Sequence, residues 1–159
     1  MSNQLTVKMV LDAWNAQVQN ANKIISSLSD EQLMSDVAPN RNRGIYLLGH
    51  LAAVNDKIMP VLGFGAEAFP KWNELFLSTP DKSVTDMPTP AEVRNYWETS
   101  LASLTKHFNE ISADDWFAKH SLVSAEDFAK EPHRNKLNII ISRTNHLAYH
   151  VGQLRFLKS

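Results

Sequence analysis

Asn145-His146-Leu147-Ala148-Tyr149-His150-Val151-Gly152-Gln153-Leu154 holds two stripes at helical spacing. One stripe, Ile140, Thr144, Leu147, Val151 and Leu154, is mostly apolar and needs other helices to pack on. The second, Arg143, His146, His150 and Gln153, advances by three, four and three residues, so both imidazoles stand on one face, one turn apart. A helix with one face for packing and one for chemistry belongs in a bundle, and its partners should lie upstream.

They do. Val7, Leu11, Trp14, Val18, Ala21, Ile25 and Leu28 recur in steps of four and three, which predicts a long helix over about Leu5 to Leu28. A second should run from about Arg43 to Leu62 with Leu47, His50, Leu51, Val54, Ile58 and Val61 on one side, kinked or ended near Pro60. Thr89-Pro90-Ala91-Glu92 combines an N-cap, a proline at the first helical position and the Glu of a capping box. It opens a third helix carrying Val93, Trp97, Leu101, Leu104, Phe108 and Ile111. The fourth extends from about Asn135 to Leu157. Ser29-Asp30-Glu31-Gln32 and Ser112-Ala113-Asp114-Asp115 read as caps of short turns. With no convincing strand, the fold class is all-α, a four-helix bundle in one domain over residues 1–159.

Two connections are long. Gly63 to Pro88 contains four aromatic residues, Phe64, Phe69, Trp72 and Phe76, with room for a short helix around Ala66 to Leu77. It reads either as a lid over a pocket or as an Ω-type loop closing the core. Ser112 to Arg134 joins the third and fourth long helices. Each connection could run the length of the bundle, so up-down connectivity is not assured.

Composition excludes several function classes. The charges, 16 Lys+Arg against 17 Asp+Glu, nearly cancel without a basic run, which argues against nucleic acid. The chain has no Cys. Disulfides, thiolate ligands and a cysteine nucleophile are therefore excluded, and a cytoplasmic location is expected. Neither a signal peptide nor an apolar run of roughly 20 residues is present, so no membrane partner is expected.

If the second and fourth long helices pack together, His50 projects toward His146 and His150. Three neutral nitrogen ligands with an open position form the donor set of a catalytic metal rather than a structural one. Taken alone, His50 reads first as a core histidine bonded to a neighbour. His107 suits the dipole of its helix C-terminus, and His120 and His133 read as loop or surface residues. Gln153 is placed to orient a ligand or substrate, and Arg143 to pair with a substrate carboxylate, against readings as a backbone-bonded amide and a solvated arginine. Asn55 and Asn145 are candidates for bonding the imidazole N–H groups, although neither lies on the ligand face. Gly152 reads as a point of close helix packing. No residue is assigned a catalytic role.

Leu47-Leu48-Gly49-His50-Leu51-Ala52 with His146-x-x-x-His150-x-Gly152-Gln153-Leu154 resembles the DinB/YfiT-like four-helix-bundle family of candidate metalloenzymes. The resemblance implies a divalent transition metal, zinc or nickel, on His50, His146 and His150, and often a homodimer. It also implies a transferase using a low-molecular-weight thiol. The residues themselves leave two alternatives open: a metal-dependent hydrolase of a small substrate, and a non-catalytic metal-binding dimeric bundle. Against the hydrolase, no Glu or Asp stands at helical spacing from the histidine pair as a general base.

Overall fold

A computed structural model of the chain describes residues 3–158. Four long helices, α1 (Asn3–Ser27), α3 (Gly44–Leu62), α5 (Pro90–Glu110) and α7 (Lys136–Leu154), make up the bundle. Three short ones, α2 (Asp30–Met34), α4 (Pro70–Leu77) and α6 (Ala125–Lys130), lie in the connections. Among the described residues there is no strand, only the isolated bridges Asp36–Arg43 and Lys119–Asn135. The all-α expectation holds.

Local chemistry sets the helix ends. Reciprocal capping boxes form at Ser29/Gln32 and Thr89/Glu92, and Asn135 accepts from the Asn138 N–H to start α7. α3 continues two residues past Pro60 and stops at Gly63, whose φ of 76° is left-handed backbone that glycine adopts without cost. α7 gives way after Leu154 to a 3-10 turn over Arg155–Lys158, shorter as an α-helix than the periodicity predicts.

Contacts along the helices fix their directions. α1 and α5 are antiparallel: Trp97 donates to Asn22 at one end, and Trp14 meets Phe108 edge-on toward the other. α1 and α7 run parallel, with Val10 beside Ile141 in one shared groove and Arg155 donating to Asn20 further along. α3 and α7 are antiparallel, since His50 meets His146 while Gly44 abuts Leu157. α3 and α5 run parallel, with Met59 by Ser103 and Phe64 stacked on His107.

The parallel α3–α5 pair dictates the path of the connection between them. Residues 63–89 must return the length of α3, and they do so as a packed strap. The buried Asp56 carboxylate accepts from the Ala68 and Phe69 N–H groups and from Asn73 Nδ2, each at 2.9 Å. Further along, Phe76 packs on Gly49, Tyr46 donates to the Thr79 carbonyl, and Asp81 forms an ion pair with Arg43 at 2.6 Å. Burial alone would raise the Asp81 carboxyl, but hydrogen bonds from the Arg43 side chain and backbone outweigh it and hold the group below the usual carboxylate range. Residues 63–89 are thus packed along their helix, and Phe76 is 0% exposed. Covered by the strap outside and the bundle inside, α3 is buried on nearly every side, not along the single stripe its periodicity suggests.

The second long connection behaves differently. It joins two helix ends on the same side of the bundle, Lys136 lying beside Val61 at the end where α5 also finishes, so it does not run the bundle's length. Trp116 packs against Phe108 and Phe64 there, and the Ser121 N–H donates to the Val61 carbonyl.

Candidate metal centre

His50 comes from α3, and His146 and His150 come from successive turns of α7. Their Nε2 atoms converge: 3.1 Å separates His50 from His146 and 3.2 Å separates His146 from His150. One ligand atom from each of the three lies within 4.8 Å of the others.

The opposite side of each ring decides which protons are present. His50 Nδ1 stands 3.0 Å from the Phe76 carbonyl, and His150 Nδ1 stands 2.6 Å from Gln153 Oε1. Both acceptors require an Nδ1–H, which leaves a bare lone pair on Nε2 of each ring. His146 Nε2 lies between those two lone pairs, and one N–H can satisfy only one of them. Its own Nδ1 is buried with no hydrogen-bond partner among the described residues. A cation resolves the conflict, since tetrahedral bonds of about 2.0–2.1 Å would separate ligand nitrogens by roughly 3.3 Å. The donor set therefore fits a metal ion.

Electrostatics favours neutral, ligating imidazoles. Burial, followed by the His150, His50 and Arg143 charges, pushes His146 down to about 4. Burial also lowers His150, opposed by its bond to Gln153 and reinforced by His50. Arg143, one turn before His146, is half-buried, and burial lowers its pKa. It donates to Ser142 Oγ at 3.2 Å, and no ion pair among the described residues includes it. Tyr149, 64% exposed, meets His150 edge-on with ring centroids 5.0 Å apart. One turn from the histidines toward the α7 C-terminus, Gln153 and Leu47 line a cavity of about 260 Å³ with Asn40, Arg41 and Asn42.

The remaining histidines stay outside the cluster. His107 stacks on Phe64 in the last turn of α5, and His133 is exposed. His120 lies in a loop, one of the two readings given for it, but it is not a surface residue: it is 8% exposed and accepts from the Leu122 N–H, because the second connection folds it under the end of α3. Asn145 is exposed, and Asn55 is buried with Nδ2 unpartnered. Neither bonds an imidazole. Gly152 also departs from expectation, because a Cβ there would meet nothing within 4 Å. The Phe76 carbonyl went unseen in the sequence, since a backbone acceptor carries no residue signature; the only hint was the aromatic density of its connection.

The profile of the mycothiol-S-transferase family matches residues 9–159. The chain belongs to that family. It is thereby a member of the DinB-like superfamily, as the histidine motifs suggested. A crystal structure of a conserved protein from Enterococcus faecalis, 16% identical, superposes with a TM-score of 0.63 and covers 94% of this chain and 93% of its own. At that identity the likeness shows the fold alone. No curated protein matches the chain. Among the described residues, no helix is long and apolar enough to cross a membrane.

Proposed function

We propose that this protein is a divalent-metal-dependent transferase acting through a low-molecular-weight thiol, with His50, His146 and His150 as the ligands of zinc or nickel. The observation that carries the metal is the convergence of three Nε2 atoms, two with tautomers set by the Phe76 carbonyl and Gln153. The family's description carries the thiol. A cation on three imidazoles supplies Lewis acidity, which lowers the pKa of an incoming thiol and keeps it as the nucleophilic thiolate.

The chain's own groups do the rest. Gln153 holds His150 in its Nδ1–H tautomer, and its amide Nε2 donates a long, 3.4 Å hydrogen bond to the Tyr149 hydroxyl, which a substrate acceptor could replace. Arg143 offers a partly desolvated guanidinium without a carboxylate partner, which suits a carboxylate on the thiol or its acceptor. No carboxylate joins the histidines among the described residues, so the cluster includes no general base for activating water, which favours thiol transfer over hydrolysis. The same reading makes the protein a cytoplasmic homodimer, with exposed Met9 and Ile141 on the α1–α7 face available to a second copy; sedimentation tests this.

Titrating the cobalt-loaded protein with mycothiol tests the thiol step. A sulfur-to-metal charge-transfer band that saturates with thiol, and is weaker in Arg143→Ala, is expected. A spectrum indifferent to every thiol offered would refute the transferase reading.

A further inference from the structure

Gly49 directly precedes His50 and is buried within α3. A Cβ built there would fall 2.3–2.5 Å from three atoms of the Phe76 ring, far inside van der Waals contact. That ring cannot swing aside cheaply, being fully buried and packed against Tyr46 at a centroid distance of 5.8 Å. Gly49 is thus a notch in α3 that the Phe76 ring occupies. The backbone of the same residue carries the acceptor for His50 Nδ1. Phe76 lies in the last turn of α4, where carbonyls lack an intrahelical partner, so its oxygen is available to the imidazole.

We propose that Gly49 and Phe76 are positioning residues of the metal site. Seating the ring in the notch sets the height of the strap on α3. The carbonyl then holds His50 as the Nδ1–H tautomer with Nε2 turned toward His146 and His150. The strap is pinned on both sides of this point, by Asp56 toward one end and by Arg43–Asp81 toward the other, so a ring forced out of the notch lifts only the stretch between the pins, carbonyl included. The other two histidines lack such an arrangement: His150 is held by a side chain of its own helix, and His146 Nδ1 has no partner among the described residues. His50 is therefore the ligand through which the α3–α5 connection controls the site. This inference rests on the metal reading above and goes beyond it in assigning the strap a role.

The test compares wild type, Gly49→Ala, Gly49→Ala/Phe76→Ala and, as a control, Gly152→Ala. Zinc affinity is read by chelator competition, and the His50 tautomer of the metal-free protein by long-range proton–nitrogen NMR. Gly49→Ala is expected to weaken zinc binding by roughly 10–100-fold, the usual cost of losing a group that orients a ligand, and to mix the His50 tautomers. Gly152→Ala should bind as wild type. The double variant, which reopens space but keeps the carbonyl, should recover affinity while its thermal midpoint falls further. A merely structural role would make affinity follow stability. Should Gly49→Ala fail to fold, Phe76→Trp, which keeps the carbonyl but overfills the notch, must show the same mixing. Unchanged affinity and tautomer in Gly49→Ala, or affinity falling with stability in the double variant, would overturn the inference. If wild type bound no zinc, the metal reading would fall by itself, and the tautomers alone would decide the positioning claim.

Discussion

The two long connections look alike as sequence, both aromatic and broken by proline, yet they occupy the molecule differently. Residues 63–89 join parallel helices and must travel back along α3, pinned by Asp56, Gly49, Tyr46 and Arg43. Residues 111–135 join ends on one side of the bundle and stay there, tucking Trp116 and His120 under α3 and α5. The direction of the flanking helices, not the length or composition of a connection, decides whether it can reach the site. Only the first passes the histidines, and it supplies the hydrogen-bond acceptor of His50 Nδ1.

Replacing one histidine from each side of this contrast should give the largest difference. His50→Ala is expected to lose metal by more than the roughly 10–100-fold that an orienting partner costs. His120→Ala, which removes a more deeply buried imidazole, should keep full metal content and lose only thermal stability. Calorimetry with zinc on both variants checks this, and metal loss in His120→Ala would erase the distinction.

Polar anchors come next. Asp56→Ala strips three strap donors of their acceptor and should cost about 3 kcal/mol in urea unfolding, with weaker zinc binding. Ser124→Ala removes the N-cap of α6 in the other connection; about 1 kcal/mol and unchanged zinc affinity are expected. Equal effects on zinc would mean that the strap has no special tie to the site.

Acid sharpens the contrast from the site's side. His146 sits at about 4 in the folded protein against about 6.5 in an unfolded chain. Below about 6.5 the unfolded state therefore takes up a proton that the folded state refuses. Its contribution to metal-free stability is complete above that pH, declines as the pH falls toward 4, and declines no further below it. Zinc affinity should weaken through the same window as protons compete for the nitrogens. Urea midpoints across pH 4 to 7 for wild type and His146→Ala check the sign: the variant should show the shallower dependence.

Gly152 gives the smallest effect. It lies on an exposed helical position that neither connection covers, so Gly152→Ala should raise stability by about 1 kcal/mol in thermal unfolding through helix propensity alone. A loss would show that the residue packs after all.

Much of this was legible in the sequence. The four apolar seams, the Thr89-Pro90-Glu92 box and the His146–His150 spacing are repeated local signals, and local signals survive folding. His50 was readable only as conditional on two helices touching. The rest depended on tertiary path. The breadth of α3 burial, the depth of His120 and the Phe76 carbonyl all follow from where the connections run, which no periodicity encodes. Gly49 and Gly152 make the point closely: each lies within two residues of a candidate ligand, yet one is filled by an aromatic ring and the other faces open space.

The central claim, a metal on His50, His146 and His150, is tested most directly by elemental analysis of protein purified without affinity tag or chelator, wild type beside His50→Ala and His146→Ala. About one zinc or nickel ion per chain in the wild type and almost none in either variant is the predicted result. Equal metal in all three, or none in any after reloading, would contradict it.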